Sequence, residues 1–139
     1  MESYHVIDKK VDSSSFFNSL GIYFKDATTL FIEGTSISPI PLKCYNDNLQ
    51  DGDYLPDRGT LFPKSIRLRC KFSVAMMNEL SLIAGHQAEA ELMDHFHLYK
   101  GDEPVIVWWD AFSDKMLVSN TVSKEIVDQF CTAIALKNH

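Results

Sequence analysis

The densest group of side chains able to ligate a metal or move a proton is His86, Glu91, Asp94, His95 and His97. On a helix, Glu91 and His95 are four residues apart and share a face, which supplies half of a site. His86 lies off that face, and His97 points to nearly the opposite side. No HExxH pattern pairs two histidines with a general base. The group reads first as helix-surface histidines, with His95 kept as the candidate for ligand contact or acid–base work. Cys70 is the only cysteine with a cation on both sides, Arg69 and Lys71. Strand alternation turns both cations away from the sulfur, so a lowered thiol pKa is not expected there. In a calcium loop over Asp47 to Arg58, Asp51-Gly52 would stand at the fifth and sixth positions. Its third position is Leu49, and its twelfth, which should give a bidentate carboxylate, is Arg58.

Two features suit recognition better than catalysis. Arg67, Arg69 and Lys71, with Lys64 just before them, put cations on one face of a strand; such a stripe suits an anionic ligand or an acidic partner. Trp108-Trp109, with Phe112 behind, puts one indole on each side of a strand. One can fill the core while the other serves as an anchor in an interface or pocket.

The elements that position these residues follow from periodicity. Asp12-Ser13-Ser14-Ser15 caps a short helix carrying Phe16, Phe17 and Leu20 and stopping at Gly21. Ile22 to Glu33 reads as a hairpin or bent strand, and Ile40 to Tyr45, with Pro39 and Pro41, as an extended piece at a sheet edge or in a loop. Residues 46–63 carry Asn, Asp, Gly and Pro in the density of a long irregular loop. Ile66, Leu68, Cys70 and Phe72 alternate with basic residues and predict a half-buried antiparallel strand. From Val74 the apolar spacing is helical as far as His97, as one helix or as two meeting at Gly85. Pro104 to Trp109 and Lys115 to Ser119 form a strand pair, and Ser123 caps a last helix that ends near Lys137. The summed pattern is α+β: a two-layer sandwich of a mainly antiparallel sheet of about five strands with helices packed on one face, spanning 1–139 as a single domain.

The chain has 139 residues, 13 basic and 19 acidic, for a formal charge of -6. Acid gathers at 47–57 and 89–103 and base at 64–71, so an acidic chain presents one basic face. The overall sign argues against nucleic acid as a partner. All six glycines are isolated, which leaves no phosphate-cradling loop. Three cysteines without CxxC spacing support neither a disulfide framework nor a zinc knuckle. The opening residues lack a basic start and apolar core, and no apolar run approaches the roughly 20 residues of a membrane span. A cytoplasmic location is expected.

In element order the pattern is similar to the small acidic class I chaperones of bacterial type III secretion, which run helix, three strands, helix, two strands, helix and dimerise. Toxin-neutralising immunity proteins are a second group of small acidic partner proteins that this composition suits. The function expected is a non-catalytic protein-binding or ligand-binding domain, homodimeric, acting through Arg67, Arg69, Lys71, Trp108, Trp109, Phe112 and His95. No catalytic residue, metal or cofactor is assigned. The alternative is a small hydrolase or lyase acting on a small molecule in a pocket near Trp108, Trp109 and His95.

Overall fold

The computed structural model describes residues 4–50 and 66–137. Six strands form one antiparallel sheet: β1 (Tyr4–Ile7), β2 (Thr29–Gly34), β3 (Ile66–Lys71), β4 (His95–Lys100), β5 (Glu103–Trp108) and β6 (Met116–Ser119), in the spatial order β1-β6-β5-β4-β2-β3. Four helices, α1 (Ser13–Tyr23), α2 (Pro39–Asp47), α3 (Val74–Ala84) and α4 (Lys124–Ile134), pack on one face. The architecture is the expected α+β sandwich with one strand more. The expected 46–63 loop lies outside the described residues from 51 onward, as does Lys64. Asn46 and Asp47 belong to α2.

Sheet pleating sorts each strand into two rows of side chains. Leu30, Ile32, Cys70, Phe96, Leu98, Ile106, Trp108, Met116 and Val118 join the helix residues in one buried core. Phe16 of α1 is its hub, with ring centroids 4.9 Å from Trp108, 5.1 Å from Phe96 and 5.3 Å from Phe17. Capping follows the sequence signals. Asp12, Ser73 and Ser123 accept from the backbone N–H groups of Ser15, Met76 and Ile126 and start α1, α3 and α4.

Several elements differ from expectation. Gly21 does not end α1. It faces α3, a Cβ there lying 3.4 Å from Met77 Cβ and 3.6 Å from Val74 Cγ1, and the helix runs two residues further. Those distances are ordinary contacts, so Gly21→Ala is expected to raise stability by about 0.5–1 kcal/mol through helix propensity. A urea titration checks this, a loss of stability meaning that α3 cannot yield. At the other end of the same helix pair, Ser14 and Ser81 each donate a hydroxyl to the other's carbonyl at 2.8 Å.

Ile40 to Tyr45 is helical, not extended. Pro39 occupies the first turn of α2, where its missing N–H is no loss and its fixed φ favours the helix. Helix α2 thus separates β2 from β3, and β1 precedes α1, so the element order on which the chaperone comparison rested is not the one observed. The helical reading of 74–97 is also corrected. Helix α3 stops at Ala84, a single 3-10 turn covers Glu89–Glu91, and His95 to Lys100 is a strand.

Candidate functional site

Strand geometry places the candidate residues on two different sides of the sheet. Trp108 is 1% exposed and lies in the core, its indole N–H donating to the Asp114 carbonyl at 3.0 Å. Phe112 packs against it with a centroid separation of 4.8 Å, also on the helix side. Trp109 is half-buried and outside that core, its ring meeting those of His95 at 5.0 Å and His97 at 4.4 Å. Trp109, His95 and the β3 cations therefore share the face away from the helices, and Trp108 and Phe112 do not.

That far face is ordered in three cross-strand rows. Lys71 stands opposite Thr29 and Thr29 opposite Tyr99; Arg69, Phe31 and His97 form the second row; Arg67, Glu33 and His95 form the third. Lys71 is exposed, whereas Arg67 and Arg69 are half-buried. The middle row is aromatic: Phe31 and His97 stack with centroids 5.7 Å apart and planes 7° from parallel, and Trp109 meets the same imidazole edge-on. Glu33 is buried at 1% exposure between a guanidinium strand and an imidazole strand. Phe31 and Glu33 were not singled out in the sequence, and His97 only as one of a group of potential metal ligands. The alternation Thr29, Phe31, Glu33 against Leu30, Ile32 was the available signal.

His95 and His97 are two apart on a strand and so share a face, contrary to the helical expectation that set them opposite. Glu91 and His95 no longer share one; Glu91 Oε1 instead accepts from the Ala88 N–H at 2.8 Å. Both imidazoles are oriented through Nδ1, which accepts from Asp110 N–H at 3.0 Å in His95 and from Trp108 N–H at 3.3 Å in His97. Beside His95 opens a cleft of about 520 Å³, lined among others by Thr35, Glu89, Asp94, Asp110 and Asp114. Asp94 is tied down there, its Oδ2 accepting from the Thr35 N–H and hydroxyl at 3.0 Å each. Among the described residues, no three His, Cys, Asp or Glu side chains are grouped to hold a metal ion. None of the described helices is long and apolar enough to cross a membrane.

The outer edge of β3 is partly occupied. Gln50 N–H donates to the Arg69 carbonyl at 2.9 Å, and Lys71 N–H to the Asn48 carbonyl at 2.8 Å. The Thr29 hydroxyl donates to Gln50 Oε1 at 2.7 Å, so the Gln50 side chain reaches over the strand onto the far face.

Cys70 is not placed for nucleophilic work. Its side chain enters the core beside α2, where Sγ donates to the Tyr45 carbonyl at 3.4 Å. Burial pushes its thiol up to about 12. Burial, followed by the Glu79 carboxylate, does the same for Cys44. Unfolded thiols ionise near 8.5–9, so between that range and 12 the folded chain holds protons that the unfolded chain has released. Stability is therefore expected to be level through neutral pH and to fall as pH rises above about 9. Urea midpoints from pH 7 to 11 check this, and Cys44→Ala with Cys70→Ala should flatten the decline. Alkylation at pH 8 should modify the half-buried Cys131 first.

No family model matches this chain, and no curated protein or solved structure is significantly similar to it.

Proposed function

We propose that this protein is a non-catalytic binding domain whose protein partner docks on the sheet face opposite the helices. The observation that carries the reading is the segregation of the four described helices to one face, with the other bearing the rows Lys71–Thr29–Tyr99, Arg69–Phe31–His97 and Arg67–Glu33–His95. Trp109 is the aromatic anchor, in keeping with the enrichment of Trp at the energetic centres of interfaces. The β3 cations form the rim, which suits a partner surface that is acidic where it meets that edge. Trp108 and Phe112 serve the site indirectly by fixing the end of β5 from the core side.

Immobilised wild-type chain, Trp109→Ala and Lys71→Glu provide the test, with the solution mass of each measured in parallel. A partner held by the wild type, weakened by Lys71→Glu and lost by Trp109→Ala supports the reading. A doubled mass that collapses in Trp109→Ala makes the partner a second copy. A partner held equally by all three proteins places the interface elsewhere.

The cleft beside His95 favours the second reading, a small hydrolase or lyase. Its volume lies within the range of small-molecule sites, and an imidazole next to carboxylates is the raw material of acid–base chemistry. A thermal-shift screen against metals and metabolites separates the two readings: a stabilisation of several degrees by one small ligand, removed by His95→Ala, supports the enzyme.

A further inference from the structure

At the start of β4, two groups of one residue stand before the same ring nitrogen. Asp110 N–H donates to His95 Nδ1 at 3.0 Å, and the Asp110 carboxylate oxygen Oδ1 lies 3.9 Å from that nitrogen. Accepting the N–H requires the lone pair on Nδ1, which leaves the ring proton on Nε2. Asp110 is also one of two described non-glycine residues in the left-handed region, with φ 51°; Phe112, with φ 71°, is the other. Asp accepts that conformation more readily than Phe, whose ring is held in the core against Trp108 and Phe16. The loop is closed by further bonds: Ala111 N–H donates to the Asp94 carbonyl at 2.7 Å, and the N–H groups of Ser113 and Asp114 donate to the Asp110 carbonyl at 2.9 and 3.0 Å. Its first residue is thus pinned by a lone pair that a proton can remove.

We propose that His95 is a proton-operated latch on the 110–114 loop. A proton taken from solvent adds to Nδ1, the ring becomes a cation that keeps its Nε2–H, and Nδ1 changes from acceptor to donor. It then no longer accepts the Asp110 N–H. The carboxylate of the same residue, already at 3.9 Å, takes the new Nδ1–H in a charge-assisted hydrogen bond. In the neutral state the amide faces the ring; in the cationic state the carboxylate does, and the amide is released.

The groups facing His95 among the described residues are Glu33 opposite it on β2, with Arg67 one strand beyond, Asp94 and His97 on its own segment, Asp110 across from it, and Glu89 and Asp114 in the cleft. Release of the Asp110 N–H reaches Trp109 directly, since that N–H belongs to the peptide joining Trp109 to Asp110, and the Trp109 ring lies 5.0 Å from that of His95. The latch does not require the far face to be a binding surface. Where that face binds a partner, the latch sets the orientation of its anchor.

Nitrogen NMR of the uniformly labelled chain from pH 8 to pH 5, above the ordinary carboxylate range, tests the latch. As the His95 Nδ1 signal moves from acceptor to protonated form, Asp110 amide protection, corrected for intrinsic exchange, is expected to fall about fivefold with the same midpoint. In His95→Asn, whose Oδ1 stands near the position of Nδ1 and does not titrate, the amide should stay protected throughout. Unchanged Asp110 protection across the His95 titration overturns the latch, as does an equal loss in His95→Asn. The wild-type titration decides the matter alone if that variant does not fold.

Discussion

Phe16→Ala is expected to lower the free energy of unfolding by about 3–5 kcal/mol, against a total of about 5–15 for a domain of this kind. Phe16 is fully buried and its ring lies within 6.5 Å, centroid to centroid, of Phe17, Phe96, Trp108, Phe112 and Phe130. Those partners come from α1, β4, β5, the loop after β5 and α4, so no single element can move in to fill the space. A cavity left at a junction of several elements relaxes poorly, which puts the effect at the upper end of its class. Urea unfolding followed by circular dichroism measures it. Phe16→Leu, which keeps most of the volume, should lose about 1.5 kcal/mol or less. A loss from Phe16→Ala as small as that would mean that the core closes over the gap.

The second large effect is on binding. Trp109→Ala is expected to weaken the partner by at least about 30-fold, the equivalent of the roughly 2 kcal/mol that defines an interface hot spot. The melting transition should shift far less than in Trp108→Ala, because the Trp109 ring meets His95 and His97 on the far face, whereas Trp108 fills the core. Adjacent tryptophans thus give opposite outcomes, one in affinity and the other in stability. Titration calorimetry and thermal melts of the two variants separate them. An unchanged affinity in Trp109→Ala would remove the anchor from the proposed function.

Much of this arrangement was legible where one physical signal acted alone. Arg67, Arg69 and Lys71 alternate with Leu68 and Cys70 without a competing period, and the strand is found where expected with the cations on one side. Ser123 followed by Ile126, Val127, Phe130 and Ile134 likewise gives a capped amphipathic helix. Legibility failed where two periods overlapped. Ala88, Leu92 and Phe96 fall at helical spacing, yet His95-Phe96-His97-Leu98 also alternates, and pairing with β2 and β5 decides for the strand. Prolines 39 and 41 misled for a different reason: the same missing N–H that excludes them from a sheet interior suits them to a helix start. The far-face row Arg69–Phe31–His97 joins residues up to 66 positions apart, and only strand order, which local pattern does not carry, brings them together.

The strand order also sets a timetable. β1 pairs with β6, Tyr4 standing opposite Ser119 and Ile7 opposite Met116, and Asp12 N–H donates to the Ile134 carbonyl beside that pair. During synthesis the first strand has no partner until β6 has been made, and contacts of such sequence separation form late and slowly. Until β6 has emerged, Ile7, buried in the folded sheet, has no partner strand to cover it. The sheet of a nascent chain therefore closes only once β6 has emerged, and the interval before that is when a ribosome-associated chaperone has something to hold.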